Sequence, residues 1–159
     1  MYKRQEAGAN DGISQSNTAL YEFNYGWRGL LIEPNFIKYQ QCKQNRINSI
    51  VENYALVSNS YNKLEIEGNF AKADYEGSLT AMVYDKGDWV DDNLLKEKEK
   101  IKDELISVPA ITLTKLLDKH NIQKIDFISL DVEGLSLIHI SEPTSASSIW
   151  YGVLWLLCG

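Results

Sequence analysis

The sequence predicts an α/β fold, a parallel sheet covered on both faces by helices, and three observations carry that prediction. Short apolar runs such as "GLLI" and "DFISL" stop at acidic or turn residues, as strands buried on both faces do. Helix-like stretches of polar or amphipathic character separate these runs, so strand and helix alternate along the chain. Polar clusters fall where strands should end, the place where parallel sheets bind ligands.

The elements follow in order. "EAGANDGISQSNT" joins a glycine turn to a Ser/Asn/Thr cluster of the kind that starts helices. "TALYEFNYGW" places Leu20, Phe23 and Trp27 at spacings of three and four, the stripe of a short helix that ends near Gly26. "RGLLIEPN" is a buried strand stopped by Pro34, "FIKYQQCKQNR" a polar-faced helix, and "INSIVENYALVS" a return to strand character. Two weaker strands, "KLEIE" and "LTAMVY", flank a turn-rich segment, and "DDNLLKEKEKIKDEL" is a charged helix packing through Leu94, Ile101 and Leu105. "TLTKLLDKHNI" is a clearer amphipathic helix, followed by the strand "KIDFISLDVEG". The order implies right-handed crossovers.

A chain of 159 residues suits one domain. Its 44% hydrophobic and 24% charged residues place it among soluble globular proteins. A net charge of −6 argues against nucleic-acid or anionic-membrane partners, which require a basic face. Cys42 and Cys158 form neither a disulfide framework nor a metal-ligand spacing, and Cys42 reads as a half-buried helix thiol. No signal peptide follows Met1, and the apolar run "IWYGVLWLLCG" is short of the roughly 20 residues of a membrane span. The expected compartment is the cytoplasm.

Three clusters could carry chemistry. In Gly8-Ala9-Asn10-Asp11-Gly12 the glycines allow a tight turn close to a ligand, and the helix start beyond offers unpaired N–H groups. A plain strand-to-helix turn accounts for it equally well, and the spacing is not G-x-G-x-x-G. Glu33-Pro34-Asn35 puts an acid at the end of the second strand, where it can accept the ribose hydroxyls of an adenosine cofactor. A solvated strand end or a helix cap is the other reading. Asp131 and Glu133 alternate onto one face, and two carboxylates so close raise one pKa unless donors compensate. That suits an acid/base role, with a solvated pair as the equal alternative.

Taken together, "EAGANDGISQSNT", "GWRGLLIEPN", "NR", "YALVS", "VPAITLTKLLDK" and "IDFISLDVEG" resemble the FkbM-type S-adenosylmethionine-dependent methyltransferases, in order and spacing, over residues 6 to 134. The resemblance implies a class I methyltransferase fold, a Rossmann-like three-layer sandwich with strand order 3-2-1-4-5-7-6. It places Glu6, Gly8, Ala9, Asn10, Asp11 and Gly12 on the first cofactor motif, with Asn17 and Thr18 after it. It makes Glu33 the ribose acid flanked by Pro34 and Asn35, and sets Asn53 to Ala55 beside the adenine. Asp131 and Glu133 fall at the acidic end of the fourth strand, beside the site of methyl transfer, where one of them would orient or deprotonate an acceptor hydroxyl. The implied cofactor is S-adenosylmethionine and no metal; the implied acceptor is a small molecule or glycan. A noncatalytic nucleotide-binding α/β module is the alternative function.

Both ends depart from this pattern. The transposase-type adapter of DNA libraries, CTG TCT CTT ATA CAC ATC TCC GAG CCC ACG, encodes "LSLIHISEPT", residues 135–144. Its reverse complement contains GTG TAT AAG AGA CAG, which encodes "MYKRQ", residues 1–5, when GTG starts translation. Residues 1–5 and 135–159 are therefore expected to be adapter-derived and without native fold, with a partial methyltransferase domain between, cut after the fourth core strand. His139 then has no function, and His120 is expected on the surface, favoured by its helix dipole. A polar "YKRQ" in a central strand and an uncovered fourth strand predict a poorly folded, inactive chain.

Overall fold

The apolar run Leu30–Ile32 shows how this chain builds layers. In a computed structural model, which describes residues 3–14, 16–68, 70, 105–130 and 154–156 (3, 4 and 154–156 by backbone alone), Leu30 and Ile32 enter one buried cluster and Leu31 another. Alternation along a strand sends neighbours to opposite faces, so a strand apolar at every position needs cover on both sides.

That strand is β2 (Arg28–Ile32), and it lies in a five-stranded, wholly parallel sheet. Its companions are β1 (Lys3–Ala7), β3 (Ile50–Glu52), β7 (Phe127–Leu130) and β8 (Leu154–Leu156), in the order β3-β2-β1-β7-β8. The first four positions reproduce the expected 3-2-1-4. The open edge expected on β7 is covered: Leu154–Leu156 pairs with Ile128–Leu130, so β7 has a hydrogen-bonded strand on either side.

Among the described residues, three helices connect the strands. α1 (Ala19–Tyr25) ends at Gly26, whose φ of 65° is the left-handed turn that glycine closes readily. α2 (Phe36–Asn45) begins where Asn35 Oδ1 accepts from Lys38 N–H at 3.0 Å. α3 (Leu113–Lys119) begins in the same way at Thr112 Oγ1, which accepts from Lys115 N–H at 3.3 Å. On one face of the sheet, Leu113, Leu116 and Leu117 of α3 pack with Ala7, Leu30, Ile32, Ile128 and Leu130. On the other, Cys42 of α2 packs with Ala9 and Leu31.

A second sheet, β4-β6-β5, consists of β4 (Ala55–Val57), β5 (Glu65–Gly68) and β6 (Ile106–Thr112). β6 pairs parallel to β4 and antiparallel to β5. The predicted single strand "INSIVENYALVS" is thus two, β3 and β4, committed to different sheets. β6 was not predicted at all, because Pro109 in its middle lacks an N–H and demotes such a run.

Two packing expectations are corrected. The stripe Leu20/Phe23/Trp27 does not bury α1: Leu20 and Phe23 are both 56% exposed, and the buried residues are Ala19 and Glu22. Trp27, past the helix end, stacks on Tyr21 at 4.8 Å. Cys42 is fully rather than half buried, and burial pushes its thiol up to about 12. Asp131, Glu133, His139, the strand "LTAMVY" and residues 91–104 of the charged helix lie outside the described residues.

The polar start of β1 leaves one uncompensated polar side chain inside the sheet. Gln5 stands between Leu30 and Ile128 in register and is 1% exposed. Neither its Nε2 nor its Oε1 has a hydrogen-bond partner.

Candidate cofactor site

Parallel strands that start together also end together. Ala7, at the end of β1, is level with Ile32 of β2 and Leu130 of β7, so their carboxyl ends open onto one rim. The Gly8–Gly12 turn leaves from the middle of that rim, and Glu33 and Asn35 from beside it.

The turn is built by alternation of backbone sign. Gly8, Asn10 and Gly12 have φ of 78°, 51° and 83°. Glycine takes such values freely and asparagine is among the few others that do. Gly12 is also constrained by space: a Cβ there would lie 2.7 Å from Arg46 Cγ and 2.8 Å from Cys42 Sγ. The turn therefore rests directly on α2.

Each N–H from Gly8 to Ser14 already has an acceptor. Those of Gly8 and Ala9 donate to the Ile32 carbonyl, and that of Gly12 to the Ala9 carbonyl. Asn10 N–H donates to Glu33 Oε2 at 2.8 Å and Asp11 N–H to Asn10 Oδ1 at 2.8 Å. Ile13 and Ser14 N–H groups both donate to Asp11 Oδ1. At the entry to α1, Asn17 N–H donates to Glu6 Oε1, and Thr18 and Ala19 N–H groups to Ser16 Oγ. Of the donors expected to be unpaired at the helix start, those of Asn17, Thr18 and Ala19 are thus engaged.

The carboxylates divide into two kinds. Glu6 is buried and accepts from Ser16 Oγ at 2.8 Å, Asn17 N at 2.8 Å and Thr18 Oγ1 at 2.6 Å. Thr18 is itself fully buried, so Glu6 and Thr18 shape the turn from beneath. Glu33 lies at the rim, where Oε1 accepts from Asn35 N–H at 2.9 Å and Oε2 from Asn10 N–H. Burial raises its pKa, outweighing those two bonds and the charge of Lys38. For Asp11 burial also raises the pKa, but the Ser14 hydroxyl and the Ile13 and Ser14 N–H groups prevail and lower it.

Asn53 joins the second and third strand ends. Its Nδ2 donates to the carbonyls of Glu33 and Pro34, each at 2.8 Å, which holds the segment after β2 in place. Asn35 is buried; besides capping α2, its Nδ2 donates to the Phe70 carbonyl. Ala55 is buried in β4, and Ala9 is buried against α2, so neither offers more than backbone or shape to a ligand. The partly or fully exposed candidates are Gly8, Asn10, Asp11, Asn17, Pro34 and Asn53.

Four partners escaped sequence reasoning. Arg46, fully buried, donates from Nε to Glu22 Oε2 at 2.8 Å and from Nη1 to the Gly12 carbonyl at 2.8 Å. It also reaches Ser16 Oγ and Thr18 Oγ1, each at 3.0 Å. Ser129 of β7 accepts from Asn17 Nδ2 at 3.0 Å. Of these, Arg46, Ser16 and Ser129 stood inside the motifs "NR", "EAGANDGISQSNT" and "IDFISLDVEG" without a role being assigned to them. Glu22, a charge on a short helix, reads as solvent-facing.

His120 is also corrected. It caps α3 and its Nε2 lies 2.7 Å from Glu52 Oε1, an oxygen that also takes Lys119 Nζ at 2.8 Å. It is bound to the end of β3 rather than free on the surface. Among the described residues no group of His, Cys, Asp and Glu could hold a metal, and no helix is long and apolar enough to cross a membrane.

A parallel sheet ordered 3-2-1-4, with a glycine turn after its first strand and an acid after its second, defines a Rossmann-like methyltransferase fold. The methyltransferase FkbM domain matches residues 6–137, and the chain belongs to that family. No curated protein and no solved structure matches it.

Proposed function

We propose that the site binds S-adenosylmethionine and passes its methyl group to a hydroxyl of a small molecule or glycan. The observation that carries this reading is the engagement of every N–H from Gly8 to Ser14. A dinucleotide such as NAD needs free N–H groups around its pyrophosphate, and this turn has none to give. At the rim stand the carboxylates of Glu33 and Asp11, negative charge that suits a ligand carrying a sulfonium and an ammonium.

Bound there, the cofactor would supply an activated methyl group. The chain's own part is to bind and align: Glu33 accepts from the ribose, Asn53 keeps the Glu33-Pro34 carbonyls in place, and Asn17 and Asp11 border the turn. Alignment is most of what such a transfer requires. Asp131 and Glu133, two and four residues past Ser129, are the proposed groups that orient the acceptor hydroxyl or take its proton. Turnover unaffected by Asp131→Asn would remove that role.

Titration calorimetry with S-adenosylmethionine and with NAD tests the reading on the whole chain. The expected result is binding of the first alone, and binding of NAD in its place would overturn the assignment. A second signature follows from Glu33. Its pKa is raised in the free protein and a cation favours the ionised form, so affinity should rise as pH rises through that elevated pKa.

A further inference from the structure

Arg46 is the most heavily bonded side chain around the turn, yet it is fully buried and no ligand at the rim could reach it. It stands at the C-terminal end of α2 and binds three separate parts of the segment above. Nη1 holds the Gly12 carbonyl and Ser16 Oγ, Nη2 holds Thr18 Oγ1, and Nε holds Glu22 on α1. Glu6 of β1 lies 3.7 Å from Nη1. The packing agrees with the bonding, because the Gly12 backbone sits against the Arg46 stem with no room for a Cβ.

We propose that Arg46 is a positioning residue for cofactor binding: its guanidinium fork fixes the path from Gly12 to Thr18, and so places Asn17 and the Asn10–Gly12 turn for the ligand. The proposal rests on the S-adenosylmethionine reading above. Its physical basis is the planar fork. Nε, Nη1 and Nη2 point in three fixed directions and meet a carboxylate, a carbonyl and two hydroxyls at once. A lysine ammonium is a compact charge that cannot span these positions together. Most of Glu6's hydrogen bonds end on residues that Arg46 also grips, Ser16 and Thr18, so the two charges hold the same short segment together.

Stability alone could explain a buried arginine, so the test separates stability from position. Arg46→Lys is compared with Ser49→Ala, which removes a 2.5 Å bond to Glu22 and the acceptor of Gly29 N–H, neither of them in the turn. Affinity for S-adenosylmethionine is read by calorimetry at about 15 °C, near maximal stability, together with amide exchange over residues 12–19. Arg46→Lys should weaken binding about tenfold and speed exchange at Asn17, Thr18 and Ala19. Ser49→Ala should lower the melting temperature and leave affinity within about twofold. Equal affinity losses in the two variants, or unchanged binding and turn exchange in Arg46→Lys, would overturn the proposal. Should the unaltered chain fail to bind S-adenosylmethionine, the cofactor reading fails, while exchange in the turn still decides the role of Arg46. If Arg46→Lys does not fold, Thr18→Val removes one hydroxyl of the grip, one that caps no backbone N–H. Faster turn exchange and weaker binding would then support the clamp, and neither changing would refute it.

Discussion

Glu6 and Gln5 sit side by side on β1, one facing α2 and the other facing α3, and both are almost out of solvent. Glu6 carries a charge into the interior and meets three hydrogen-bond donors and Arg46. Gln5 carries only an amide, and meets Leu30 and Ile128 with both polar atoms unpartnered. The costlier group is thus the better accommodated. Burial of polarity is decided by what the opposite elements supply: the residues leading into α1 and the cap of α2 supply hydroxyls, an N–H group and a guanidinium where α3 supplies leucines. Gln5 is also the last residue of the segment read above as translated adapter, and an apolar residue would fit its place.

The comparison can be broken most severely from the Glu6 side. Arg46→Met leaves Glu6 and Glu22 buried with no cation between them, and should cost about 3–5 kcal/mol in denaturant unfolding. A loss under about 1 kcal/mol would mean that the charges are not coupled. Gly12→Ala should cost at least about 1–2 kcal/mol, since a left-handed φ is strained for any side chain and Arg46 and Cys42 leave no space. On the other face the sign reverses. Gln5→Leu should raise stability by about 1–3 kcal/mol, the desolvation cost of an unsatisfied polar group, seen as a higher denaturation midpoint at unchanged slope. A destabilised variant would show that the amide has a partner after all.

The smallest effect is a pH dependence. Burial raises the Glu22 pKa, but the Ser49 hydroxyl and Arg46 overcome it and hold the carboxyl below its ordinary 4.5. Its contribution is therefore fully present above the unfolded value and is lost as pH falls through the lower folded one. Melting temperatures should decline more steeply below pH 4.5 in the unaltered chain than in Glu22→Gln.

What sequence could reveal was what depends on neighbours along the chain. "GLLI" and "DFISL" marked β2 and β7, "FIKYQQCKQNR" and "TLTKLLDKHNI" marked α2 and α3, and the glycines marked the turn, because periodicity and turn chemistry are local. What escaped depends on tertiary partners. Leu20 and Phe23 have helical spacing, but Glu22 takes the buried face because Arg46 waits beneath it. Pro109 hid β6, which holds its place through pairing with β4 and β5. Donors at the start of α1 looked available until Glu6 and Ser16 met them.

A turn whose donors are all satisfied internally holds its shape before any ligand arrives. No segment from Gly8 to Ser14 must be ordered on binding, so the entropy of loop closure is met during folding rather than at association. For the proposed cofactor, encounter would then be limited by diffusion and by stripping water from the rim. The rim would act as a mould, its selectivity set when the chain folds.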